Sequence, residues 1–175
     1  GPHGRTLGNR GREPLSLCGK LLALMATALM AALLEGEADV AVHSAKDLPT
    51  AQAEGLVLGA VPVRGPREDV LVAGGRRFSD LPEGARVGTS SPRRRAFLSG
   101  CRADLEFVDL RGNVPTRLAK RDAGEVDAIV LARAGLVRLQ AGGVIDEVFE
   151  SEVILPAVGQ GALAVECRVD DDLAR

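Results

Sequence analysis

Asp127-Ala128-Ile129-Val130-Leu131-Ala132 holds an apolar run of strand length with no polar break. A strand with one solvated face alternates polar and apolar residues. A run that is apolar at every position belongs to a sheet covered on both faces. Downstream of it, residues 134–139 read as a short helix. Upstream, residues 115–124 read as a helix opened by Pro115, and 105–110 as a strand. Residues 86–88 form a strand leading into Ser90-Ser91-Pro92, where serine is a favoured N-cap and proline a favoured first helical residue. Residues 39–43, 56–63, 69–73 and 164–167 give the other strands, the last after a crossing segment that begins at Ile154. Pro62, Gly65 and Pro66 punctuate a change of direction between 56–63 and 69–73. Strands alternating with helices predict an α/β architecture with a largely parallel sheet.

Composition narrows the function. The 175 residues suit one domain or two small ones. Apolar residues make up 46% and aromatics only 2%, so the core is built from Leu, Val and Ala, and a stacking platform for nucleic-acid bases is nearly lacking. From residue 86 to 138, 10 Arg and 1 Lys stand against 6 acids, a local charge of +5 within an overall −2. Arginine outnumbers lysine heavily in that stretch. The guanidinium fork suits carboxylates, although a compositional bias toward arginine accounts for the count equally well.

Cys18, Cys101 and Cys167 are widely spaced with no CxxC, which fits a reducing compartment, and with His3 and His43 they give no metal-ligand spacing. Residues 1–16 are rich in Gly, Arg and Pro without a period. Residues 17–34 read as a helix whose apolar run, 21–34, is too short for a membrane span of roughly 20 residues. A buried core helix is the better reading than a signal peptide, because Glu35-Gly36-Glu37 follows without a small-residue cleavage site.

Four polar segments stand out against this frame. Three follow strands and the fourth lies on the crossing segment. In open α/β sheets, ligands sit at the carboxyl ends of strands. Ser44-Ala45-Lys46-Asp47, stiffened by Pro49, sets a cation beside a carboxylate. Such a pair is either surface charge or a group able to stabilise a developing cation and move a proton. Thr89-Ser90-Ser91-Pro92-Arg93-Arg94-Arg95 puts hydroxyls and three arginines at a helix N-terminus. It is either an anion site or a solvated basic turn with a good cap. Arg111 and Arg117 bracket Gly112-Asn113-Val114-Pro115-Thr116, and Arg138 follows the Gly135 turn. Both read as anion binders or as solvent-facing arginines. Gly159-Gln160-Gly161 suggests a connection whose backbone must approach something closely, and no nucleotide loop occurs anywhere. His43 reads as a satisfied, half-buried histidine, and the cysteines as core or surface thiols.

The order of these segments resembles one family, the porphobilinogen deaminases (hydroxymethylbilane synthases). His43-Ser44-Ala45-Lys46-Asp47-Leu48-Pro49 is similar to the family's His-Ser-x-Lys-Asp-x-Pro. Residues 88–94, 111–117, 127–139 and 156–162 match four further family segments in the same order. The resemblance implies a type II periplasmic-binding-protein-like fold of two lobes with the site between them. It implies a partial first domain of residues 1–62 and 157–175, a second domain of 63–156, and a cofactor-anchoring third domain outside the chain. It implies Asp47 as the catalytic carboxylate with Lys46 beside it. Ser44, Thr89, Ser91, Arg93, Arg94, Arg111, Arg117, Arg138 and Gln160 would bind substrate or cofactor carboxylates.

The implied reaction joins four porphobilinogen units into hydroxymethylbilane with release of ammonia, in tetrapyrrole and haem biosynthesis. Each pyrrole carries two carboxylates, and loss of ammonia leaves an azafulvene-like cation for Asp47 to stabilise. The implied cofactor is dipyrromethane, whose anchoring cysteine would lie outside this chain. No metal, nucleic acid or membrane is expected, and the implied setting is a cytoplasmic monomer. The alternative reading is a non-catalytic binder of oligopyrroles or anions that keeps the arginine-lined cleft.

Overall fold

A computed structural model of the chain describes residues 27–172. Its elements in chain order are α1 (27–34), β1 (Val40–Ser44), β2 (Leu56–Ala60), β3 (Asp69–Val72), β4 (Arg86–Gly88), α2 (Pro92–Cys101), β5 (Glu106–Val108), α3 (Val114–Asp122), β6 (Ala128–Ala132), α4 (Arg133–Arg138), β7 (Glu147–Val148) and β8 (Leu163–Arg168). They form a three-stranded sheet ordered β1-β8-β2 and a five-stranded sheet ordered β5-β4-β6-β3-β7.

β6 explains its own composition. Successive side chains of a strand point to opposite faces. Ala128 and Val130 enter one core with Leu71, Val87, Leu98 and Phe149. Ile129 and Leu131 enter a second core on the other face with Val70, Val72, Leu110 and Leu136. Both faces are covered from 128 to 131, so those four positions exclude polar residues, while Ala132 reaches the edge of a cavity. α2 supplies Leu98 to the first face, while α3 and α4 supply Val114, Leu118 and Leu136 to the second.

The sheets are mixed, which corrects the expectation of a largely parallel one. β4 pairs in parallel with β5 and β6, but β3 is antiparallel to both β6 and β7. In the smaller sheet β8 lies antiparallel between β1 and β2. Apolar runs report burial of a strand, and burial is the same for either direction. What sets the direction is the chain crossing between sheets, from β2 to β3 and back from β7 to β8.

Several boundaries also move. β2 ends at Ala60 rather than 63, and residues 61–68 have no regular structure. β5 covers only Glu106–Val108. The helix expected to open at Pro115 starts one residue earlier, because Asn113 is the N-cap: its Oδ1 accepts from the Thr116 N–H at 2.9 Å. Asn113→Ala is therefore expected to cost about 1 kcal/mol in urea unfolding, the usual worth of such a cap. An unchanged midpoint would show the cap to be idle.

Only 27–34 of the helix expected over 17–34 lie within the described residues. There Leu33 is fully buried while Leu29 and Leu34 are exposed, so one side of the helix faces the core. Among the described residues no helix is long and apolar enough to cross a membrane. Cys101 is exposed and Cys167 buried, and Cys18 lies outside the described residues. His43 corrects the expectation of a satisfied histidine. Its Nε2 faces Glu166 Oε2 at 3.4 Å, and neither atom completes a hydrogen bond.

Candidate functional site

The site lies where the two crossings meet the ends of β1, β4, β5 and β6. The crossings are laced together. Gly65 N–H donates to Gly161 O at 3.0 Å, Arg64 Nε to Gln160 O at 2.9 Å, and Gln160 Nε2 to Arg67 O at 2.7 Å. Two glycines make the approach possible. Gly161 has φ +86°, and a Cβ there would stand 2.6 Å from the carbonyl oxygens of Gly65 and Pro66. Gly159 has φ +71°, and its Cβ would stand 3.1 Å from the backbone of Ala45 and Lys46. L side chains rarely adopt such φ values. The second crossing thus runs directly beneath the turn that carries Lys46 and Asp47.

That turn, Ala45–Asp47, follows β1 and is pinned by the Ala45 N–H to Ala162 O bond at 3.0 Å. On one side of it opens a cavity of ≈ 430 Å³ whose polar lining includes Ser44, Lys46, Asp47, Asn113, Arg117 and Arg138. On the other side a cavity of ≈ 280 Å³ is lined by Ser91, Arg93, Arg94 and Gln160, and again by Lys46, Asp47 and Arg117. Lys46, Asp47 and Arg117 therefore stand at the junction of the two. Arg117 Nε donates to Gly112 O at 2.7 Å and Arg138 Nη2 to Gly161 O at 2.7 Å, so both guanidiniums are tethered at the rim.

Ser91 caps α2, its hydroxyl accepting from the Arg94 N–H. The opening of α2 therefore faces the second cavity with its positive dipole end. Partial desolvation in the cleft draws the Lys46 ammonium below the ordinary lysine value. Arg94 and Arg117 push the same way, and Asp47 and Asp69 push back. Acetic anhydride at graded pH should accordingly label Lys46 at a lower pH than the lysine of an added unstructured peptide, read by peptide mass. Asp47→Asn should lower that pH further, since it removes a group that favours the charged form. Labelling of Lys46 only above the reference pH would show that its surroundings favour the charged form instead.

Nine of the eleven expected site residues line these two cavities, and two do not. Thr89 is fully buried, and its Oγ1 accepts from the Ser91 N–H at 3.2 Å, so it shapes the turn before α2. Arg111 is exposed and paired with Asp109 at 2.9 Å, outside both linings. Arg94 also departs from the expected open fork. It is buried, its Nε and Nη2 both donate to Asp69 Oδ1, and its Nη1 donates to Val130 O. Burial lowers its pKa, and the charge and hydrogen bonds of Asp69 oppose that.

Asp69 is the residue that sequence reasoning missed. In the sequence it reads only as the first residue of the strand 69–73. The available signal was an acid leading straight into Val70-Leu71-Val72-Ala73, a position where a carboxylate is buried and needs cationic partners.

The arrangement defines a class: a protein of two sheets joined by two crossings, with an arginine-lined cleft at the crossing point. Solved structures agree on the fold. The probable amino-acid ABC transporter extracellular-binding protein YtmK from Bacillus subtilis matches with a TM-score of 0.50 at 13% identity, over 83% of this chain and 64% of that one. Prephenate dehydratase from Arthrobacter aurescens matches with 0.51 at 15% identity, over 81% and 48%. The fold is type II periplasmic-binding-protein-like.

The family model described as porphobilinogen deaminase, dipyromethane cofactor binding domain, matches residues 5–175. Curated porphobilinogen deaminases are similar at the level of sequence. The one from Thermobifida fusca is 55% identical over 83% of this chain and 46% of its own length. That from Deinococcus radiodurans is 48% identical over 96% of this chain and 56% of its own. The chain belongs to the porphobilinogen deaminase family, and it spans about half the length of the curated relatives it matches.

The matched domain is the one that binds dipyrromethane. The lining suits such a group, since Lys46, Arg93 and Arg117 line it with cationic donors suited to carboxylates and α2 turns its positive dipole end toward it. Neither described cysteine, Cys101 or Cys167, is among the lining residues of either cavity.

Proposed function

We propose that this chain carries the catalytic cleft of a porphobilinogen deaminase-type transferase, which condenses porphobilinogen units into hydroxymethylbilane and releases one ammonia at each addition. The observation that supports it most is the placement of Asp47 at the junction of two arginine-lined cavities, with Lys46 and Arg117 beside it. In each addition the aminomethyl C–N bond of porphobilinogen breaks and the nitrogen leaves with the electron pair as ammonia. The residual cation is then captured by a ring carbon, which loses its proton as the new C–C bond forms. Asp47 offsets the cation and takes the proton. Ser44, Arg117 and Arg138 hold carboxylates in the larger cavity, and Ser91, Arg93 and Lys46 hold them in the smaller one. Dipyrromethane, when bound, supplies the pyrrole onto which the first unit is added.

The domain division at residues 1–62 with 157–175 against 63–156 belongs to this reading; within the described residues, 27–62 with 157–172 form one lobe and 63–156 the other, so that the crossings are the connections between lobes. The protein acts as a cytoplasmic monomer. The test is incubation of the purified chain with porphobilinogen, following substrate loss, ammonia and intact mass. One ammonia per porphobilinogen consumed is expected. Binding without consumption, lost in Arg117→Ala, would instead favour a binder of oligopyrroles or anions. Neither binding nor consumption would refute both readings.

A further inference from the structure

Asp69 opens β3 with its side chain fully withdrawn from solvent. Oδ1 accepts from Arg94 Nε at 2.9 Å, Arg94 Nη2 at 2.7 Å and Gln160 Nε2 at 3.0 Å, while Oδ2 accepts from Arg93 Nη2 at 2.7 Å. Nε and Nη2 form one of the edges that a guanidinium offers a carboxylate. On Arg94 that edge faces inward to Asp69, and Nη1 is held by Val130 O. Arg93 Nη1 is likewise held by Leu155 O, on the second crossing. The smaller cavity therefore faces two guanidiniums that already share a resident carboxylate.

We propose that Asp69 sets the anion capacity of the smaller cavity, by holding the inner edge of Arg94 and cancelling one of the charges that a ligand would otherwise meet. Lys46, Arg93, Arg94 and Arg117 stand there against Asp47 and Asp69, which leaves a net of two positive charges. That balance matches a ligand bearing two carboxylates. With Asp69 neutral, three positive charges remain and a tricarboxylate is the better match. Asp69 also acts electrostatically on Lys46, which places it within reach of the junction. The assignment rests on reading the Arg93–Arg94 corner as a carboxylate site.

The test compares wild type with Asp69→Asn, an isosteric change, using citrate and succinate as probes in titration calorimetry and thermal unfolding. Asp69→Asn should bind citrate about tenfold more tightly than wild type, the equivalent of one charge-assisted hydrogen bond, while succinate changes less. It should melt lower than wild type in chloride and recover more in citrate than wild type does. Asp80→Asn removes an equal charge from an exposed turn and should leave citrate binding unchanged.

A folded Asp69→Asn with citrate affinity at or below wild type would overturn the assignment. So would a variant that citrate fails to fold, because the carboxylate would then be architecture alone. Porphobilinogen added to wild type separates the two readings. If it is neither bound nor consumed while Asp69→Asn still gains citrate, the transferase reading fails and the role of Asp69 stands.

Discussion

Asp47→Asn is expected to slow porphobilinogen consumption by about a hundredfold to ten-thousandfold, the span measured for a positioned acid–base group. Substrate binding should change far less. The amide has the shape of the carboxylate, and Asp47 lies in an open turn rather than in a packed core, so the fold has no reason to respond. The charge is what matters. Lys46, Arg93, Arg117 and Arg138 line the two cavities with positive charge, and Arg94 adds its own from beneath. A cation developing on the substrate after ammonia leaves has only Asp47 among the lining residues to offset it. On the proposed function, the same arginines that would hold the substrate would oppose its reaction once that carboxylate is gone. The effect should therefore fall on kcat, with KM nearly constant. Asp47→Glu keeps the charge but moves it by a methylene, and should recover part of the rate. A variant consuming substrate as fast as the parent would remove Asp47 from the chemistry.

Much of the fold is legible from local pattern, for reasons that particular residues make clear. The 128–132 run declares a strand buried on both faces, and Ser91-Pro92 declares a helix start, because each is decided within a few residues. Strand direction is not decided locally. Val70-Leu71-Val72 would look the same in a parallel or an antiparallel pair, and only the crossing from β2 to β3 makes it antiparallel to β6. The start of α3 differs by one residue from the expected Pro115 because Asn113 and Pro115 both mark helix openings, and the Oδ1 bond from the Thr116 N–H gives the cap to Asn113.

The site divides in the same way. Lys46, Asp47 and Ser91 sit at strand ends or helix caps, so their placement follows from the elements that carry them. Thr89 and Arg111 occupy equivalent positions in sequence, yet one is turned into the core and the other is paired with Asp109. Nothing in a linear pattern distinguishes the two outcomes. Asp69 was invisible because its partners are 24, 25 and 91 residues away along the chain. Its meaning exists only once α2 and the second crossing have packed against β3.

The same packing makes Arg94→Ala the largest expected loss of stability, about 3–5 kcal/mol, as when one partner of a buried ion pair is removed. Asp69 has no exposure to water, so its charge cannot be solvated in place once the guanidinium is gone. Arg93 and Gln160 keep one contact each, which sets the expectation toward the lower end. The Val130 carbonyl, in the middle of the five-stranded sheet, loses its bond from Arg94 Nη1 as well. Urea unfolding reads this directly as a lower midpoint at an unchanged slope. If the cost comes from stranding the carboxylate, then Arg94→Met combined with Asp69→Asn should lose less than the sum of the two single changes, because the second change removes the charge that the first leaves bare. Additive losses would mean that Arg94 stabilises through packing of its stem alone. A loss under about 1 kcal/mol, the worth of an exposed pair, would mean that water reaches Asp69.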